Sequence, residues 1–155
     1  MDRDFLWMRG HGAGRARLRL PPGGVDAPET LTMLQTIAAR LSAAELCGSW
    51  MMVVDDEVVG LCGLLGPPDS AGVVEIGYGV AASRRSRGHA TAAVELMLTI
   101  LATDTAIHTV TAATAVNNLH SQGVLRRNGF SETGRGMDPD DGETILWRRT
   151  LHPMA

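Results

Sequence analysis

Val73-Val74-Glu75-Ile76-Gly77-Tyr78-Gly79-Val80 is a β-rich run that feeds a turn of arginine and glycine, Arg84-Arg85-Ser86-Arg87-Gly88-His89. After the turn, Ala90, Ala93, Val94, Met97, Leu98 and Leu101 recur at helical spacing, a stripe that has to be buried. His108–Ala115 is the next strand-like run. Two strands joined through a helix are expected to lie parallel, with a right-handed crossover. The turn inside this unit carries a chemical consequence as well. A helix N-terminus leaves backbone N–H groups unpaired, and with the helix dipole they attract an anion. Arginines at 84, 85 and 87 add positive charge around that point. The simplest ligand is a phosphate or a pyrophosphate.

The charge of the whole chain is a different matter. Its net value is −3 over 155 residues, so the chain is not built to coat nucleic acid. All 14 cationic residues are arginine, and lysine is absent. A GC-rich coding sequence accounts for that bias without any function, although the guanidinium is also the better fork for phosphate. A 45% apolar content in a chain of this length supports one core, so a single domain over residues 1–155 is expected, with residues 1–14 loose or ordered only by a partner. Cys47 and Cys62 sit in no metal-ligand spacing and read as buried free thiols in a reducing compartment. Residues 1–14 carry Asp2, Arg3, Asp4 and Arg9 and no apolar core of signal-peptide length. No stretch reaches the ~18 apolar residues of a membrane span. A cytoplasmic location without membrane attachment is the expectation.

Around the central unit the pattern predicts further elements. Arg15–Leu20 alternates as a strand, stopped by Pro21-Pro22-Gly23-Gly24. Asp26 with Pro28 and Glu29 starts a helix whose buried face is Leu31, Leu34, Ile37, Ala38 and Leu41. Met51–Val54 and Val58–Leu65 flank Asp55-Asp56-Glu57 as a hairpin. Asn117-Asn118 opens a short helix from about Leu119 to Arg127, closed by Asn128-Gly129. Phe130–Gly134 and Glu143–Leu151 are the last strands, separated by the acidic loop Asp138–Gly142. Trp50 and Trp147 read as core, and Trp7 as a groove residue.

This order of elements resembles that of the GNAT acyltransferases. The resemblance is specific over residues 72–130, in four landmarks: Glu75-Ile76-Gly77-Tyr78, Arg85-Ser86-Arg87-Gly88-His89-Ala90-Thr91, Asn118-Leu119-His120-Ser121 and Asn128-Gly129-Phe130. The turn fits the family signature Gln/Arg-x-x-Gly-x-Gly/Ala through Arg85, Gly88 and Ala90. The branch most resembled is the ribosomal-protein-alanine acetyltransferase (Rim-like) group. Residues 1–48 match only in pattern. The resemblance implies an α/β (α+β) fold with a mixed central sheet of six to seven strands and about four flanking helices. The fourth and fifth strands, Val73–Val80 and His108–Ala115 here, would be a splayed parallel pair. It implies acetyl-CoA as co-substrate and no metal, a primary amine (small molecule or protein N-terminus) as acceptor, and a homodimer.

The residues can be assigned on chemical grounds beside that resemblance. Arg85, Ser86, Arg87, Gly88, His89, Ala90 and Thr91 form the expected diphosphate cradle, in which charge-assisted hydrogen bonds contribute ~1.5–3 kcal/mol each. His89 either touches a phosphate or faces solvent. The resemblance further implies that pantetheine bonds to the edge of the splayed strand, which Gly77 and Gly79 suit, and that an N–H near Val80 faces the thioester oxygen. An amine must lose a proton before it attacks. Glu75 is the candidate base, with partial burial between apolar neighbours raising its pKa; strand alternation can equally put it in solvent. The resembled family uses a tyrosine seven residues after the asparagine to protonate the thiolate, and Leu125 stands there. Ser121 matches the serine of the Rim-like N-x-x-S, which implies a donor; the other reading is a first-turn cap. Asn118 caps the helix, binds the pantetheine amide, or does both. Two other functions stay open. One is an acyl-CoA-binding module without turnover. The other is a Rossmann-like nucleotide domain, disfavoured by the lack of G-x-G-x-x-G.

Overall fold

The computed structural model describes residues 8–9, 14–15 and 17–152 of the chain. They contain three complete α-helices, one 3₁₀ turn and six strands. The chain divides into two compact units, Met1–Pro67 with Tyr78–Ala90, and Pro68–Gly77 with Thr91–Ala155.

In the first unit, α1 (Pro28–Ala43) opens on a proline, Glu29 in its first turn and Arg40 in its last complement the helix dipole, and Leu31 and Leu41 are fully buried. Leu34, Ile37 and Ala38, on the same predicted face, are half-buried. The helix ends in a Schellman motif: Leu46 N–H donates to Leu41 O (2.9 Å) and Glu45 N–H to Ser42 O (3.0 Å), with Glu45 at φ 58°. Strands β1 (Ser49–Val54) and β2 (Glu57–Leu64) pair antiparallel. Their two-residue turn puts Asp55 (φ 50°) and Asp56 (φ 63°) in the left-handed region, which a right-twisted hairpin requires and aspartate tolerates. Glu57 therefore belongs to β2 and not to the turn. Val25, Leu31, Val58 and Leu61 form a core cluster with Met8 of the N-terminal segment, and Arg9 donates to Thr32 Oγ1 (2.9 Å) and Gln35 Oε1 (2.7 Å).

The strand expected over Arg15–Leu20 does not form. Leu18 N–H closes a turn on Arg15 O with Arg17 at φ 75°, and only Arg19 bridges β2, through Arg19 N–H to Asp56 O (2.8 Å) and Val58 N–H to Arg19 O (2.9 Å). Pro21 and Pro22 lack the N–H needed to extend the ladder. Trp50, expected in the core, is half-buried; Cys47 is exposed; Trp7 lies outside the described residues. Burial does push the Cys62 thiol up to about 11, so it stays protonated at neutral pH.

In the second unit, β3 (Val73–Val80) pairs parallel with β4 (Thr109–Ala115). Strand β6 (Gly142–Thr150) runs antiparallel to β4 and to β5 (Ser131–Asp138). The strand order is β1-β2-β3-β4-β6-β5, with β3 shared by both units. This is the mixed α/β arrangement the resemblance implies, at its lower strand count and with three complete helices among the described residues where about four were expected. The β3–β4 ladder holds three registers and stops at Glu75↔Thr111, although β3 runs on to Val80 and β4 to Ala115, so the parallel pair separates early. Helix α2 (His89–Leu101) buries Val94, Met97, Leu98 and Leu101 as its period requires. Helix α3 (Leu119–Arg127) ends in a second Schellman motif at Gly129 (φ 79°), with Phe130 N–H on Leu125 O (3.0 Å). Trp147 is 1% exposed, and its indole N–H donates to Thr114 Oγ1 at 3.0 Å. Among the described residues, no helix is long and apolar enough to cross a membrane. No three His, Cys, Asp or Glu side chains among them gather closely enough to hold a metal ion.

A Cβ on Gly60 of β2 would overlap the Gly79 carbonyl oxygen and crowd the Met52 sulfur and Val80 Cα. Gly60→Ala is therefore expected to destabilise the fold by about 1–3 kcal/mol in urea denaturation. Gly66→Ala, with nothing within 4 Å of the added carbon, is the control expected to stay within about 0.5 kcal/mol of the wild type.

Candidate functional site

The turn after β3 is built from an anchored entry and an open middle. Ala81 is fully buried, and its N–H donates to Val59 O at 2.8 Å. The 3₁₀ turn Ala82–Arg84 follows, closed by Arg84 N–H on Ala81 O (2.8 Å) and tied down by Ser83 Oγ donating to Pro22 O (2.8 Å). Arg84 meets Glu57 with both prongs, Nε to Oε1 at 2.5 Å and a terminal nitrogen to Oε2 at 3.1 Å. The sequence reading places Arg84 among the arginines that charge the turn and Glu57 between the strands of the hairpin. The pairing spans 27 positions and has no local signal. The Arg84 hydrogen bond, aided by the charges of Arg84, Arg19 and Arg87, holds the Glu57 carboxyl below the usual range.

Beyond Arg84 the chain opens. Arg85 is extended (φ −69°, ψ 165°), Ser86 (φ 64°) and Gly88 (φ 80°) are left-handed, and α2 starts at His89. Backbone that alternates positive-φ residues with others can turn successive N–H groups toward one concavity, a nest for an anion. Among the described residues, no amide from Arg85 to Ala90 donates to a backbone carbonyl of a turn or loop. Arg85, Ser86, Arg87 and Gly88 are exposed, His89 is half-buried and Ala90 is buried. Arg85 Nε reaches back to Val80 O at 3.3 Å, while Arg87, also exposed, has its guanidinium beside the same turn. Gly88 matters for its positive φ: a Cβ there would meet nothing within 4 Å, but an L side chain would strain the backbone. The left-handed Ser86 was not legible in the sequence.

Gly79 and Val80 lie in the same unit as the turn and are half-buried. A Cβ on Gly79 would come 3.7 Å from Asp26 Oδ2. The second unit holds Glu75, Thr91, Asn118 and Ser121. Val74 (1% exposed) and Ile76 (2%) fill one face of β3, and Glu75 is exposed on the other. The partial burial expected for Glu75 is thus a misreading: its apolar neighbours in sequence point away from it. Asn118 caps α3, its Oδ1 accepting the Ser121 N–H at 3.1 Å, which is the capping geometry expected of it. Leu125 is fully buried, and the position resembling an acid is a core site. Gln122, 3% exposed, anchors the start of α3 by donating to Ala115 O (3.2 Å) and Val116 O (3.0 Å). Asn128, expected as a cap, does more: its Nδ2 donates to Thr91 O (3.2 Å) and Val124 O (3.0 Å), linking α2 to α3. In the acidic loop, Asp138 accepts the Asp140 and Asp141 amides (2.8 and 3.0 Å), and those bonds hold its carboxyl below the ordinary range.

A family model described as an acetyltransferase (GNAT) domain matches residues 7–131, reaching further toward the N-terminus than the four landmarks do. An uncharacterized N-acetyltransferase of Bacillus subtilis (strain 168), YjdG, is 30% identical over 107 residues, which are 68% of this chain and 64% of that protein. The match thus spans less than two thirds of that relative. Among solved structures, the ribosomal L7/L12 α-N-protein acetyltransferase RimL in complex with coenzyme A is 18% identical, with a TM-score of 0.67 over 86% of this chain and 77% of that one. A spermidine N-acetyltransferase SpeG chimera from Vibrio cholerae and hSSAT is 14% identical, with a TM-score of 0.66 over 81% and 80%. The aminoglycoside acetyltransferase AAC(6')-Ib with coenzyme A and kanamycin is 20% identical, with a TM-score of 0.63 over 80% and 78%. At these identities the structural likeness is one of fold.

Asn118→Ala should cost about 0.5–2 kcal/mol in thermal denaturation through loss of the helix cap. Glu57 predicts a pH effect. A carboxylate with a lowered folded pKa adds stability that is complete above its unfolded value, ~4.3, and is lost as pH falls through the folded value. The Tm gap between wild type and Glu57→Gln should hold from pH 7 to about 5 and close only under more acid conditions, as read by scanning calorimetry.

Proposed function

Because the chain belongs to the acetyltransferase (GNAT) domain family, we propose that it transfers an acetyl group from acetyl-CoA to a primary amine by direct attack within a ternary complex. The observation that carries this reading is the set of unengaged amides from Arg85 to Ala90, shaped by left-handed Ser86 and Gly88. A diphosphate has the charge and the acceptor oxygens to fill that nest, and Arg87 adds an exposed cation beside it.

In this mechanism the cradle residues Arg85–Thr91 hold the diphosphate, while Gly79, Val80 and Asn118 receive the pantetheine arm and the thioester. The acceptor arrives as an ammonium ion. Glu75, exposed on β3, takes its proton directly or through one water, which its exposure favours. The neutral amine attacks the thioester carbonyl, the Val80 N–H receives charge on the carbonyl oxygen, and the C–S bond breaks. The departing thiolate has a conjugate pKa of about 8.5 and needs little help to gain a proton near neutrality. Ser121 or water relays to it the second proton, which the attacking nitrogen sheds as the amide forms. The buried Leu125 favours one second reading, an acyl-CoA-binding module that does not turn over.

Calorimetry with acetyl-CoA tests the cradle. Gly88→Glu should weaken binding by about 100-fold or more, since a carboxylate repels the diphosphate and two lost charge-assisted bonds amount to ~3 kcal/mol. Release of free thiol tests turnover, with a polyamine, a peptide N-terminus and an aminoglycoside as acceptors. Glu75→Gln should lower kcat by about 10²–10⁴. Full activity of this variant at every pH sinks the base assignment. Tight acetyl-CoA binding with no thiol release from any amine selects the binding module.

A further inference from the structure

The cradle cannot hold its own shape. Its amides from Arg85 to Ala90 make no turn or loop bonds to backbone carbonyls, and it contains a left-handed serine, a conformation that persists only when its surroundings impose it. The constraint comes from the segment just before it. Ala81 is bonded to Val59 and Ser83 to Pro22, but the last fastening before the open amides is Arg84 on Glu57. That fastening is rigid. It is two-pronged, both side chains are largely shielded (22% and 15% exposed), and Arg84 also donates to Ser83 O at 3.1 Å. Glu57 is in turn fixed as the first residue of β2, paired with Val54 across the hairpin and bridged by Arg19.

We propose that Glu57 is a positioning residue for the diphosphate cradle: by gripping Arg84 with both oxygens, it sets the direction in which Arg85–Gly88 leaves the 3₁₀ turn, and so aims their amides at the ligand. The assignment rests on the acetyl-CoA reading above for the identity of that ligand. It also explains why Arg84, one of three clustered arginines, does not serve the phosphates itself: both prongs of its guanidinium are occupied by Glu57. A planar fork on a carboxylate fixes orientation as well as distance, which a lysine or a single-pronged contact does not.

Charge and positioning make opposite predictions here. Removing a carboxylate from among Arg19, Arg84 and Arg87 raises the local positive potential, so charge alone would tighten the binding of a diphosphate. Positioning predicts weaker binding. The experiment compares wild type, Glu57→Gln, Glu57→Asp, Arg84→Gln and the double variant Glu57→Gln/Arg84→Gln. Acetyl-CoA and inorganic pyrophosphate are titrated by calorimetry, KM and kcat are measured, and hydrogen exchange of the Ala81 and Arg84 amides is followed without ligand.

For Glu57→Gln we expect about tenfold weaker acetyl-CoA binding, KM for acetyl-CoA raised in step, kcat at saturation within about twofold, and an unchanged KM for the amine. The double variant should be no worse than the worse single one, because the two residues act as one contact. Glu57→Asp, which keeps the charge and shortens the reach, should fall between wild type and Glu57→Gln. Exchange at Arg84 should quicken. Binding as tight as wild type or tighter in a folded Glu57→Gln, with unaltered exchange, overturns the proposal; so does an equal loss in every kinetic constant, the mark of general unfolding. Should Glu57→Gln not fold, Arg84→Gln carries the same expectations. If the wild type itself binds no acetyl-CoA, the acetyl-transfer reading fails on its own, and Arg84 exchange in the variants still decides whether Glu57 holds the segment.

Discussion

The Ala81 amide, donated to the Val59 carbonyl at 2.8 Å, ties the chain to β2 just past the end of β3, and the exposed turn at residues 85–88 starts from that anchor. A strand that continued in its ladder would have its amides paired. Here β3 is held by β4 over only three registers and is then released. Its far end passes so close to β2 that position 60 tolerates no side chain. A chain that stops pairing and then turns leaves donors with no partner inside the protein. Such donors are costly where water is excluded and useful where an anion is wanted.

The polar groups of this region divide into those spent on structure and those left for chemistry. Arg84 is spent on Glu57, Ser83 on Pro22, and the Arg85 Nε on Val80 O. Asn118 is spent on the Ser121 amide and Asp138 on its own turn. Exposed beside them are residues 85–88, with the Arg85 and Arg87 side chains, and Glu75 on β3. Preorganised backbone donors lose little entropy on meeting a ligand, which is why a nest of amides suits a flexible, highly charged cofactor tail better than long side chains do.

Much of the architecture was legible because local patterns have local causes. β3 and α3 fall where the pattern placed them, since a run of β-formers ends at a turn and Asn118 and Gly129 mark the two ends of a helix. The α2 stripe is buried as its period demands. Gly88 was legible as a turn residue, and it has the positive φ (80°) that only glycine adopts freely. Glu75 was half legible: its place in the strand was right, but its surroundings were inferred from neighbours that face the opposite side. The strand at Arg15–Leu20 failed because alternation is only permission to pair. A left-handed Arg17 on one side and two prolines on the other leave a single bridge at Arg19.

The sequence alone determined the order of elements from the first helix onward, the turn after β3 and the two ends of α3, because each follows from φ/ψ preferences and side-chain periods acting within a few residues. It also carried the family resemblance. Only the tertiary structure decided which charges meet. The Glu57–Arg84 pair joins residues 27 positions apart, Asn128 reaches back to Thr91, and Leu125 fills the core where an acid was looked for. Such contacts depend on how the whole chain closes on itself, and no local pattern of residue types encodes that closure.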